Sequence, residues 1–145
     1  MARIKAVTDL STSLPIQVAG KQLLEVADEA GRRRREQLRN RRTHLDQLLE
    51  TWLPTWRWSP PAGGVVIWAR LPFGDSEVLA RVARDRGVDI VPGRHFSIDG
   101  STADCVRLPF SRPPQVLEVG IRRLAEAWQE LEADRGEPSS PTPLV

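Results

Sequence analysis

A change of hydrophobic period near Trp56 narrows the possible folds of this chain more than any other feature. Upstream, Leu38, Leu45, Leu48, Leu49 and Trp52 recur at helical spacing and form one stripe. Downstream, WRWSPPAGG is punctuated by Pro60, Pro61, Gly63 and Gly64, and VVIWARLP then alternates with period two. A chain that opens with helix and then interleaves short strands with helices points to an α+β layer. The expected fold is a small, mostly antiparallel three- to four-stranded sheet covered by helices, preceded by a long N-terminal helical segment. No internal repeat is present.

Within that frame the punctuation assigns the elements. DLSTSLP reads as a loop closing on a capping Ser or Thr, with Pro15 as a first helical residue. Gly31 is expected to interrupt the helix that follows, and Pro54 to end the next one. A strand is expected over 65–71, with Val66 and Trp68 on one face, Val65, Ile67 and Ala69 on the other, and both faces covered. Asp75 is placed to cap the helix SEVLARVARDR, whose buried face would be Val78, Leu79, Val82 and Ala83, with Gly87 as its left-handed terminator. VDIV reads as a short β segment, PG as a turn, IDGSTAD as a polar loop and CVRLPF as a further strand. Pro113 and Pro114 open the last helix, where Leu117, Ile121, Leu124, Trp128 and Leu131 step by four and three.

Composition limits the function classes. The 145 residues include one cysteine, which excludes a disulfide scaffold, and no apolar run approaches the roughly 20 residues of a membrane span. The first 20 residues lack a charged start followed by an apolar block, so a cytoplasmic location and no membrane partner are expected. Net charge is +2, but it is unevenly spread. Seven arginines lie between Arg32 and Arg42, whereas the last helix is acidic. The arginine run reads either as the solvated face of a helix, with Arg35, Arg39 and Arg42 ringing the leucine stripe, or as a nucleic-acid footprint. The only lysines are Lys5 and Lys21, and there is no tyrosine.

Candidate chemistry is sparse. His44 and His95 have no neighbour at metal-ligand spacing, so no metal site is expected. Cys105 at the start of a strand reads as a small buried hydrophobe. Gly63 and Gly64 precede a strand and read as a tight turn, without the strand-then-helix context of a phosphate cradle. Arg107 stands out: Val106, Leu108 and Phe110 claim the core face of CVRLPF, so Arg107 points to the other side with Cys105 and Pro109. It is either the solvent side of a half-exposed strand or a fixed guanidinium able to hold a carboxylate by two parallel hydrogen bonds.

The segments PPAGGVVIWARLP, RGVDIVPGRHF, VRLPFS and LEVGIRRLAEAW resemble, in order and spacing, the C-terminal small domain of class I/II aminotransferases of pyridoxal-phosphate fold type I. KAVTDLSTSLPIQVAG and RRRREQLRNRRTHLDQLL resemble in particular the aminotransferase-like part of the MocR branch of GntR-type transcriptional regulators. The resemblance spans residues 3–133. It implies a remnant of a large-domain helix over 1–30 and a small domain over 31–134, while the composition of the end, GEPSSPTPLV, points to a disordered tail over 135–145.

The resemblance also implies that Arg107 binds the α-carboxylate of an amino-acid substrate or effector, while Gly63, Gly64, His95 and Phe96 border the cleft without a chemical role. The cofactor implied is pyridoxal phosphate. Its Schiff-base lysine, pyridine-nitrogen acid and phosphate loop belong to the family's large domain, so that lysine is expected upstream of Met1. No residue of this chain is then expected to be catalytic, and alone it should not transaminate. Its partners would be that large domain or a second copy in a homodimer. The alternative is a stand-alone interaction module that uses Arg32 to Arg42 to bind nucleic acid or an acidic partner.

Overall fold

The computed structural model describes residues 13–136, in two compact units divided between Gln37 and Leu38. The first element, α1 (Leu14–Trp52), is a 39-residue helix running without interruption through Gly31. The expected break does not occur. One helical glycine costs only about 1 kcal/mol, and Glu29 reaches across that turn to Arg32 at 2.6 Å and Arg33 at 2.7 Å. Pro15 lies in the first turn, as expected of a residue with no N–H to leave unsatisfied. Most of the loop read before it, like most of the tail read over 135–145, falls outside the described residues.

From Leu38 onward α1 joins the core. Leu45, Leu48 and Leu49 are buried and Leu38 packs against them, but Trp52 does not complete the stripe. It is 40% exposed, and the Arg122 guanidinium lies 5.7 Å from its ring centroid. The arginines there are not a plain solvated face either. Arg42 Nη1 donates to the Pro61 carbonyl at 2.8 Å, and Arg41 Nη1 donates to the Ser111 carbonyl.

The sheet has four strands in the order β1 (Arg57–Trp58), β2 (Val66–Arg70), β4 (Cys105–Pro109), β3 (Val91–Pro92), and every pairing is antiparallel. The short β1 is a strand where only turn punctuation was expected, because it borrows its ladder from β2. Ile67 and Ala69 of β2 and Val106 and Leu108 of β4 turn to one face and are buried. That face packs on α2 (Ser76–Asp85) and α3 (Pro114–Gly136). Leu117, Ile121, Leu124 and Trp128 of α3 are buried as its spacing predicts. Trp128 packs edge-on to Trp56 at 5.5 Å and against Phe73 at 4.6 Å.

Both ends of α2 are set by chemistry visible in the sequence. The Asp75 carboxylate accepts the Glu77 N–H at 2.8 Å. Gly87 has φ +73°, and the Val88 N–H closes on the Ala83 carbonyl in a Schellman-type ending. The buried face is rotated from the expected one, however: Ser76, Leu79, Ala80 and Ala83 are inside, while Val78 is exposed and Val82 only partly covered. The small Ser76, whose N–H and hydroxyl both donate to the Ala103 carbonyl, lets the helix approach the 101–105 segment more closely than a valine there would. The β segment expected at VDIV is also displaced, with Val88, Asp89 and Ile90 outside the ladder and Pro92 inside it.

Candidate functional site

The register of β2 and β4 sets Trp68 directly opposite Arg107, and β3 sets Val91 opposite Arg107 from the other side. All three residues therefore stand on the outer face of the sheet. The expectation that both faces of β2 are covered fails here: Trp68 is 38% exposed. Pro92 leads straight into the 3-10 turn Gly93–Phe96, which folds back so that Phe96 meets Trp68 edge-on, with ring centroids 5.2 Å apart. The Arg107 guanidinium carbon lies 5.7 Å from the centroid of the same Phe96 ring. Phe96 itself is 53% exposed.

Among the described residues no carboxylate or carbonyl holds the Arg107 guanidinium; its recorded partner is the Phe96 ring. This contrasts with its neighbour Arg70, which stands on the same face and is paired with Asp104 at 2.7 Å. A partly buried guanidinium leaning on an aromatic face, with its N–H fork unspent, can accept a planar anion by two parallel bonds. Aromatic support also limits its rotamers, so less side-chain entropy is lost when the anion binds.

The other residues named from the sequence are placed as follows. Gly63 and Gly64 form the exposed turn into β2, where Gly64 needs its freedom at φ +86°. His95 lines a separate open groove of about 570 Å³ with Asp75, Glu77, Arg81, Arg84 and Asp89. A second, more apolar groove of about 640 Å³ runs beside α3 and includes Leu45, Val88, Ile90 and Val119. Arg107 lines neither. Cys105 is buried, its Sγ lies 3.4 Å from the Asp104 carboxylate, and burial first and that carboxylate second push its thiol pKa up. That disfavours the thiolate a nucleophile needs.

Trp68 is the contact that the sequence reading missed. Its only advance signal was its place two residues after Val66 in β2, which becomes informative once the pairing of β2 with β4 is known.

The described residues do not fit a pyridoxal phosphate site. Lys21 is the one lysine among them, and it is exposed on α1 beside Leu14, Gln17, Val18 and Glu25.

No protein-family model matches the chain. Curated proteins and solved structures do. The chain is 33% identical over 134 residues to (S)-3,5-dihydroxyphenylglycine transaminase of Amycolatopsis orientalis, covering 86% of this chain and 31% of that protein. It is 36% identical over 93 residues to aromatic-amino-acid aminotransferase 1 of Thermococcus litoralis, covering 62% and 22%. The structure of LysN, the α-aminoadipate aminotransferase of Thermus thermophilus, superposes with a TM-score of 0.78 at 29% identity over 90% of this chain and 35% of that one. That structure carries N-(5'-phosphopyridoxyl)-L-leucine.

The chain is thus similar to pyridoxal-phosphate-dependent aminotransferases of fold type I over part of their length, and its α+β fold matches their C-terminal domain. It spans between a fifth and a third of the two curated relatives. Among the described residues no helix is long and apolar enough to cross a membrane.

Proposed function

We infer that this chain is the C-terminal part of a pyridoxal-phosphate-dependent aminotransferase-like protein, and that Arg107 supplies the guanidinium that binds the α-carboxylate of an amino acid. The observation that carries the reading is the Arg107 side chain itself: fixed by a central strand, turned away from the core, leaning on Phe96 and, among the described residues, holding no acid. Likeness to transaminases over most of the chain supplies the ligand class. When bound, pyridoxal phosphate acts as the electron sink for amino-group chemistry. This chain's residues bind and orient: Arg107 fixes the carboxylate, and Phe96 and Trp68 shield one side of that ion pair from water. Gly63 and Gly64 border the cleft from the turn into β2, whereas His95 lies apart in the groove it shares with Asp75.

The Schiff-base lysine and the phosphate cup belong, on this reading, to a large domain, so the chain alone should neither transaminate nor retain pyridoxal phosphate through gel filtration. The same arginine would serve a metabolic aminotransferase and a MocR-type regulator, reading a substrate in one and an effector in the other. The likeness of the segment carrying the arginine run to the MocR branch supports the regulator setting.

The test joins the chain to the large domain of the Thermus aminotransferase and measures amino-acid affinity by calorimetry. Arg107→Gln should weaken it by at least about 30-fold, since truncating one partner of a desolvated charge pair costs about 2–5 kcal/mol. Unchanged affinity would remove the carboxylate role.

A further inference from the structure

We propose that Ser76 and Thr102 are positioning residues: together they latch the 3-10 turn that carries Phe96, and so set the direction of the Arg107 guanidinium. The role rests on the carboxylate-binding reading of Arg107 and adds a device that holds that side chain ready.

Ser76 is 0% exposed and is the one buried polar residue among those described. Both halves of its hydroxyl are used. Oγ–H donates to the Ala103 carbonyl at 2.7 Å, and Oγ accepts the Gly93 N–H at 3.3 Å. From the other side the Thr102 hydroxyl donates to the Gly93 carbonyl at 2.7 Å and lies 2.9 Å from Ser97 Oγ. Both backbone groups of Gly93 are therefore held by side chains from two other segments. The fit admits no side chain there: a Cβ on Gly93 would stand 2.1 Å from the Thr102 carbonyl oxygen and 2.7 Å from that of Cys105. Arg94, the next residue, is tied to the Asp75 carboxylate at 2.9 Å. The start of the turn is thus anchored by Asp75, Ser76 and Thr102, yet the residue at its far end, Phe96, is half exposed and contributes little to the core.

So much anchoring is poorly explained by the burial of Phe96, whereas the ring's two contacts account for it. Phe96 meets Trp68 and Arg107, and it is not one of the residues that make up the core cluster. Gly93 lies three residues from Phe96 along a rigid turn, so freeing its N–H or carbonyl lets the ring swing away from the guanidinium. Arg107 then keeps its strand position but loses the surface that orients its fork.

The ring provides its own reporter. With its guanidinium carbon 5.7 Å from the Phe96 ring centroid, Arg107 should show a ring-current shift on its side-chain protons, readable by NMR on the 145-residue chain without any ligand. Phe96→Leu sets the zero of that shift. Ser76→Ala and Thr102→Val should each lose at least half of it while the amides of β2, β4 and α3 keep their positions, and Thr102→Ser, which retains the hydroxyl, should restore it. If Ser76→Ala does not fold, the contrast between Thr102→Val and Thr102→Ser decides alone. An unchanged Arg107 shift in the folded variants overturns the latch. In the large-domain fusion, Thr102→Val should weaken amino-acid affinity about 3- to 10-fold and Thr102→Ser should not. Loss of the shift with affinity intact would leave the pair structural and overturn the positioning role. Arg107→Gln in the same fusion tests the carboxylate reading separately.

Discussion

The inner and outer faces of the sheet are built from alternate residues of the same two strands and do opposite things. On the inner face Ile67, Ala69, Val106 and Leu108 are sealed against α2 and α3. On the outer face Trp68, Arg70 and Arg107 remain reachable, and their partners are an exposed ring and a surface carboxylate. Apolar area removed from water stabilises by roughly 25 cal/mol per Å², so the inner face carries the fold. A cation in mid-strand adds little stability, and on the proposed function its placement there is explained by a ligand rather than by packing. On the proposed function, stability and ligand binding would therefore be separable in this chain by strand parity.

Substitution on the inner side should break the fold most. Trp128→Ala removes a ring packed on Trp56 and Phe73 and should cost about 3–5 kcal/mol in denaturant titration. A loss below about 1 kcal/mol would mean that α3 does not anchor the core, and the division between the faces would fail. Gly93→Ala comes next, because the added methyl meets backbone oxygen rather than a side chain that could move. Overpacking of this kind should cost about 1–3 kcal/mol. A stable Gly93→Ala variant with the Phe96 environment unchanged would show that the turn has slack.

How much of this was legible in the sequence depends on how local the determining physics is. The α3 stripe and the Asp75 and Gly87 ends of α2 are local, and each was readable from spacing or from one residue's backbone preference. Arg107 facing away from the core followed from strand parity alone. What stayed hidden depends on partners distant in sequence. Two-residue β1 exists only because β2 offers it a ladder, and Trp68 became a neighbour of Arg107 only through the β2–β4 register. The buried face of α2 was misplaced because hydrophobicity favours Val78, whereas the close approach to Ala103 requires Ser76. The continuity of α1 through Gly31 is a sum of many small helix terms against one small penalty, which inspection of a single residue cannot weigh.

A smaller effect is expected at Asp75, between the two faces. It caps α2, and its carboxyl is held below its ordinary value of 3.8, first by the Glu77 N–H and then, against the opposing effect of burial, by Arg94. A folded pKa below the unfolded one gives stability that is present above that ordinary value and lost as pH falls through the lowered one. Asp75→Ala should therefore cost about 1 kcal/mol at neutral pH, and its difference from the parent should shrink on acidification below pH 3.8. Asp75→Asn keeps a capping oxygen and should lose less. Equal losses for Ala and Asn, with no change on acidification, would show that neither the cap nor the Arg94 pair stabilises α2.

The smallest effect on stability belongs to Arg107, and it makes the sharpest test of the contrast between faces. Among the described residues its guanidinium has no acid to leave uncompensated, and the ring it contacts, Phe96, is half exposed. Surface substitutions of that kind fall within about 0.5 kcal/mol, so Arg107→Ala should leave the denaturation midpoint of the chain nearly unchanged. Val106→Ala, one residue away on the inner face, removes buried methyl groups and should cost on the order of 1–3 kcal/mol. Measured side by side, the two variants turn strand parity into a difference of midpoints. A loss for Arg107→Ala as large as that for Val106→Ala would make the outer arginine a structural residue, and the case for a carboxylate site would fall with it.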